Sequence, residues 1–202
     1  MSDMSDQKMI SQIAPAGHYL ALRVGFAFPL EEVNALPNDW VEHYTRQGFM
    51  MQDPVIRWIY ANTGAVRWSD IKIDDPRNIL LQAKHFGLVY GAAISCFDNN
   101  PSGQRSFGSF LRADREYNND ELEFLSQHVL RKHIEYAPPT NLTNAELEAL
   151  KMLKAGMRLK QIAHELGVTE GAIKQRLRNA KRKLSAATSA QAASLASDFG
   201  LI

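Results

Sequence analysis

Apolar residues recur at helical spacing through roughly the last sixty positions of the chain, around one central glycine. Ile162, Ala163 and Leu166 face inward on a short first helix, Gly167 permits a tight turn, and Thr169 is placed to cap a second helix. That second helix repeats Ile173, Leu177, Ala180 and Leu184 at intervals of four, three and four, which keeps them on one face. Its other face carries Lys174, Gln175, Arg178, Lys181 and Arg182, long side chains with charge or amide hydrogen-bonding capacity. The pattern predicts a helix-turn-helix whose second helix enters a DNA major groove. Beyond it, an Ala-rich amphipathic stretch over 186–199 predicts a last helix.

Upstream the periodicity mixes. β-branched and aromatic runs predict strands over 18–28, 65–68, 90–97 and 106–113. Helical patterns lie between them at 39–48, 54–62 and 76–86, each ending near Gly or Asn. A Gly-Asn-Pro-rich turn is expected at 98–103. An amphipathic helix over 120–134, with Leu122, Leu125, Val129 and Ile134 inward, closes this region. Strands interleaved with helices predict a sheet covered by helices. Pro138 and Pro139 then stop the helix, and Thr143 with Glu146 three residues later forms a capping box. The expected organisation is a domain over 1–136, a linker over 137–141 and a second domain over 142–202.

Charge sharpens this division. Residues 142–202 hold ten Lys or Arg against five acids, a balance of +5, whereas residues 1–141 hold thirteen against seventeen, a balance of −4. The whole chain, at +1, conceals the asymmetry. A basic small domain suits a polyanion, and an acidic larger one needs a different partner. Cys96 is the one cysteine, in an apolar run expected to be a buried strand, so no intrachain disulfide or CxxC site is possible. No stretch has the length of a membrane span, and the polar start lacks the regions of a signal peptide, so a cytoplasmic protein with no membrane partner is expected. His43, His85, His128, His133 and His164 have no Cys or carboxylate partners at metal-ligand spacing; His128 and His133, five apart, do not share a helical face. No phosphate loop, nucleophile elbow or paired-carboxylate site is present. Neither an enzyme, a metal site nor a cofactor is expected.

The acidic part carries one informative constellation: Trp40, Tyr44, Asp53-Pro54-Val55 and Trp68. Trp40 and Tyr44 are one helical turn apart and can line one side of a cavity, each offering an apolar face with one polar atom. Asp53 adds an acceptor-only group whose burial needs a donor, and a ligand N–H is a natural one. Asp53-Pro54 is equally a helix N-cap with proline in the first turn, and the aromatics are equally core residues.

These residues, with the C-terminal motif, resemble the LuxR-type quorum-sensing regulators that bind acyl-homoserine lactones. The resemblance spans roughly 19–184 and rests on two motifs in the expected order, the second including Glu146, Leu150, Gly156, Ile162, Lys174, Asn179 and Lys183. It implies an α+β fold: an α/β/α sandwich around an antiparallel sheet, then an all-α four-helix helix-turn-helix domain. It implies that Trp40 donates to a lactone carbonyl and that Asp53 accepts from the amide N–H. Tyr44, Val55 and Trp68 then line the pocket, and Ser109 lies near the acyl carbonyl. Gly87 and Gly91 match two further family glycines. For DNA, the capped start and the outer side of the second helix single out Thr169, Lys174, Gln175, Arg176, Arg178, Lys181 and Arg182. A transcriptional regulator follows, acting as a homodimer on double-stranded operator DNA in response to a small-molecule autoinducer.

Three departures stand out. Leu36 occupies a position where many members have a tyrosine that bonds the amide carbonyl, a loss of about 1 kcal/mol. About eighteen residues precede the first expected strand, where the family usually has two helices. Ala172 and Arg176 replace the Thr and His common in the recognition helix. The first two also predict an alternative, a shortened, ligand-independent member that inhibits a full-length relative by heterodimerisation.

Overall fold

The computed structural model describes residues 2–25, 28–98 and 103–202, with side chains from Asp6 onward. The chain divides into two compact units that meet in sequence between Tyr136 and Ala137.

The first unit contains a five-stranded sheet in which every neighbouring pair is antiparallel, in the order β2-β1-β5-β4-β3. Its strands are β1 (Gly17–Val24), β2 (Glu31–Asn34), β3 (Gly64–Arg67), β4 (Tyr90–Phe97) and β5 (Arg105–Arg112). The period of two sorts their side chains. Leu20, Leu22, Ala92, Ile94 and Phe110 pack on one face with Ile10, Leu125 and Val129, which belong to α1 (Ser2–Ile13) and α5 (Asn119–Glu135). Ala21, Ala93, Phe107 and Leu111 point to the other face. That face is covered by α2 (Asn38–Gln47), α3 (Pro54–Ala61) and α4 (Ile79–Lys84). The result is the α/β/α sandwich.

Several boundaries depart from the expectations. The first strand stops at Val24 rather than 28, and β2 was not foreseen: all four of its residues are exposed, so this edge strand has no apolar alternation to betray it. The helix expected from 76 is α4 and begins at Ile79, where the Asp75 carboxylate accepts from the N–H groups of Ile79 (2.8 Å) and Leu80 (2.9 Å). Trp68 leaves its strand and opens a 3₁₀ turn, Trp68–Asp70. Residues 99–102 of the expected turn lie outside the described residues.

The inward position assigned to Ile134 is corrected. Ile134 is 62% exposed and His133 is buried in its place, because four residues from Val129 return to the same face while five rotate about 140° away. His128 and His133 are both buried despite being five apart. The buried arc of α5 is wide, since His128 turns toward Asp6 of α1 (3.7 Å) and His133 toward the end of the sheet. Cys96 is half-buried rather than fully enclosed.

The second unit holds four helices: α6 (Asn144–Lys154), α7 (Leu159–Glu165), α8 (Glu170–Lys183) and α9 (Ser189–Asp198). Their common core includes Leu150, Ile162, Ile173, Leu177, Ala180 and Ala192, all nearly inaccessible. Thr143 and Glu146 form the expected capping box at the start of α6. Lys183 joins the end of α8 to that start, donating to the Glu146 carboxylate and the Asn141 carbonyl, both at 2.7 Å.

Candidate ligand cavity and DNA-reading face

On the helix-covered face opposite α5, a cavity of about 230 Å³ opens between the sheet and the helices α2 and α3. Trp40, Tyr44, Asp53, Val55, Trp68 and Ser109 all line it. The fold brings them together from four separate elements. Trp40 and Tyr44 sit one turn apart on α2, with their rings edge to face at 5.5 Å. Phe49 packs behind them in the core, its ring 5.7 Å from that of Tyr44. Ser109 projects from β5, opposite Tyr19 of β1.

Asp53 serves two ends. Its Oδ1 accepts from the Val55 N–H (2.7 Å), which makes it the N-cap of α3 with Pro54 in the first turn. Its Oδ2 accepts from the Tyr44 hydroxyl (2.8 Å). The residue is 8% exposed, and burial raises its pKa above the ordinary 3.8, against the opposing effect of the Tyr44 and backbone donors. Tyr44 is itself pushed well above its usual range by burial and the adjacent carboxylate, so it remains a donor. The carboxylate is thus oriented but short of hydration, and an incoming N–H would relieve it. Asp53 is both the cap of α3 and a lining residue of the cavity.

Trp68 lies flat against β4. A Cβ built on Gly91 would fall 2.2 Å from the indole, so only glycine leaves room for the ring here. The indole Nε1 is buried without a hydrogen-bond partner. Gly87 has a different role, a left-handed φ of +80° in the turn after α4. Leu36 also lines the cavity and brings no polar atom to it.

In the second unit, Gly167 (φ 62°) makes the turn between α7 and α8. The Thr169 hydroxyl caps α8 by accepting from the Ala172 N–H at 3.2 Å. Lys174, Gln175, Arg178 and Arg182 are exposed along α8, whereas Arg176 and Lys181 are half-buried at its flanks. Gln175 donates to Asn179 (3.0 Å), which holds its amide along the helix surface. The buried Ile173, Leu177 and Ala180 fix which face remains outside.

Residues 23–132 match the family model for the autoinducer binding domain, and residues 140–196 match that for bacterial regulatory proteins of the luxR family. The chain belongs to the LuxR-type regulators. It is 29% identical over 171 residues to the transcriptional activator VanR of Vibrio anguillarum, covering 77% of this chain and 70% of that protein. It is 27% identical over 191 residues to the quorum-sensing regulator RhlR of Pseudomonas aeruginosa, covering 89% and 79%. In fold it resembles Escherichia coli SdiA with a TM-score of 0.53 at 23% identity, over 99% of this chain and 88% of that one. A complex of SdiA with octanoyl-rac-glycerol gives a TM-score of 0.54, also at 23% identity, over 98% and 87%.

The cavity of this LuxR-type regulator also includes residues that spacing did not single out. Phe107 and Leu111 follow from Ser109 by the period of two in β5. Tyr19, Asn34 and Thr45 reach the cavity through strand pairing and the entry angle of α2, which no local signal encodes. Among the described residues, no group of His, Cys, Asp and Glu could hold a metal ion, and no helix is long and apolar enough to cross a membrane.

Proposed function

We propose that this LuxR-type transcriptional regulator binds an acyl-homoserine lactone in the cavity beside Asp53 and acts on operator DNA as a homodimer. The observation that carries the reading is Asp53: a buried carboxylate, oriented by Tyr44 and Val55, with acceptor capacity facing an apolar cavity. An amide N–H satisfies it, while Trp40 offers its indole N–H to a ring carbonyl and Ser109 its hydroxyl to the acyl carbonyl. Val55 and Trp68 supply apolar walls. Octanoyl-rac-glycerol, the molecule bound in the SdiA complex, has no amide N–H to offer. Its free hydroxyls can still donate to a carboxylate, so the amide itself is what a comparison at Asp53 must vary.

We read a short acyl chain from the cavity volume. At about 230 Å³ the cavity lies under the ~300–1,000 Å³ usual for drug-sized ligands. A chain of about four to six carbons suits it better than one of about twelve, although each further buried methylene is worth ~0.8 kcal/mol where there is room. A melting-temperature series with lactones from about four to about twelve carbons, against octanoyl glycerol, tests both points. Stabilisation should be largest at the short end. A maximum at twelve carbons would sink the length assignment, and no shift with any lactone would sink the ligand class.

At the DNA, Lys174, Gln175 and Arg178 are assigned to base edges, and Arg176, Lys181 and Arg182 to phosphates, with Thr169 fixing the start of the helix. On an operator selected from random sequence, Arg178→Ala should cost ~1–3 kcal/mol on the selected site alone. Arg182→Ala should weaken all sequences alike and reduce the slope of log affinity against log salt by about 0.9. Fluorescence anisotropy across a salt series distinguishes them. Equal effects of Arg178→Ala on selected and random DNA would remove Arg178 from base readout.

A further inference from the structure

Away from the cavity, the end of the sheet encloses a polar cluster that neither ligand nor DNA binding uses. We propose that Arg23, Asp98, His133 and Ser106 form an acid-sensitive latch that fastens the last turn of α5 to the sheet. Arg23 comes from β1, Asp98 follows β4, Ser106 belongs to β5 and His133 lies on the final turn of α5. The relative exposures of Arg23, Ser106 and His133 are 3%, 0% and 4%. The contacts close a ring. Arg23 pairs with Asp98, and its Nε donates to the His133 carbonyl at 2.8 Å. Its backbone N–H donates to Ser106 Oγ at 2.9 Å. Ser106 Oγ lies 2.7 Å from His133 Nδ1, and His133 Nε2 lies 3.0 Å from Asp98 Oδ1.

Only one proton arrangement satisfies every partner. With His133 neutral, Nε2–H donates to Asp98 and Nδ1 accepts from the Ser106 hydroxyl, whose oxygen accepts from Arg23 N–H. Protonating Nδ1 converts that acceptor into a donor, strands the Ser106 proton and adds a second buried cation beside Arg23. The sequence Ser, His, Asp invites a hydrolytic reading, but Ser106 is fully buried and Asp98 is already paired with a guanidinium. The backbone supports a fastening role: Arg23 has φ 52°, a left-handed conformation unusual for a non-glycine residue, at an irregularity in the β1–β5 register. That conformation is held in place by the contacts its side chain makes. The same Arg23 Nε satisfies a carbonyl in the last turn of α5, a group that a helix end otherwise leaves unpaired.

Among the described residues, the charged groups around His133 are few. Arg23 faces it from β1 and Asp98 from the end of β4, while Lys132 and Glu135 on α5 pair with each other at 3.1 Å. Cys96, on β4, has its thiol pushed up to about 11 by burial and stays neutral. Burial, then the Arg23 charge, lowers the pKa of His133 below its ordinary 6.5, with Asp98 acting in the opposite sense. For Asp98, burial opposes the charge, but the His133 bond and the Arg23 charge prevail and hold it below 3.8. The signs then separate. Stability from neutral His133 is complete above pH 6.5 and is lost as pH falls through its lower folded value, a range in which Asp98 stays ionised.

The test is NMR on the full chain. Imidazole nitrogen spectra should show His133 as the neutral Nε2–H tautomer at pH 7, titrating below 6.5. Amide-exchange protection over residues 130–136, corrected for intrinsic rates, should fall by up to about tenfold per pH unit across that range. In His133→Gln this pH dependence should vanish, whereas a merely structural role would lower protection equally at every pH and leave the dependence intact. His128, five residues earlier, is unchanged in that variant and serves as the internal control. Titration of His133 at or above 6.5, or protection that is flat with pH in the unmodified protein, would overturn the latch.

Discussion

Asp53→Asn is expected to reduce affinity for a short-chain acyl-homoserine lactone by about 10- to 100-fold while leaving the protein folded. The side chain keeps one carbonyl oxygen, which can still accept from the Val55 N–H and cap α3, so the cost in stability is small. What changes is the second atom. In place of Oδ2, which accepts from Tyr44, stands an NH₂ group that meets an incoming amide N–H donor to donor. A hydrogen bond to a charged group is worth ~1.5–3 kcal/mol, which converts to that range of affinity. Asp53→Ala is a poorer test because it also removes the cap and leaves the Tyr44 hydroxyl unpaired. Calorimetry with the lactone and with its analogue in which an ester oxygen replaces the amide N–H decides the matter: equal losses for both would mean that Asp53 acts through α3 and not through an amide. Acid has a related effect. Burial raises the Asp53 pKa, so the anionic acceptor is lost at a higher pH than an ordinary carboxylate near 3.8 would lose it, and lactone affinity should fall with it.

Gly91→Ala should destabilise the first unit by ~1–3 kcal/mol, a large effect for a single methyl group. The added carbon falls 2.2 Å from the Trp68 indole, so the ring must move, and the cavity is the open space beside it. Lactone affinity should fall in parallel, since displaced aromatic volume occupies ligand volume. Urea unfolding of Gly91→Ala, Trp68→Ala and the double variant forms a cycle in which the alanine at 91 becomes nearly harmless once the indole is gone. Additive losses in that cycle would show that Gly91 is required for something other than Trp68.

The lining of the cavity shows how far local pattern reaches. Trp40 and Tyr44 were legible because a helix repeats every 3.6 residues, and Asp53 with Pro54 because a cap and a first-turn proline have a fixed order. Their convergence with Trp68 and Ser109 came from the resemblance to LuxR-type regulators, since no spacing within one element links α2 to β5. Tyr19 and Asn34 escaped notice for the same reason, and β2 because an exposed edge strand carries no alternation. Ile134 was misplaced by one residue, which on a helix is 100° of rotation. The same rotation puts His133 inside, where no apolar pattern marks it.

The sequence by itself determined the helix-turn-helix, with its capped α6, its glycine turn and the basic face of α8, because all these depend on contacts within a few residues. It also determined that a basic and an acidic part meet near the two prolines. Only the tertiary structure decided that Asp53 binds Tyr44 as well as capping α3, that Gly91 exists for Trp68, and that Arg23, Asp98, Ser106 and His133 meet. Those pairings join residues from 9 to 110 positions apart. Such distances are set by sheet register and helix docking, which are properties of the packed chain and not of any local stretch.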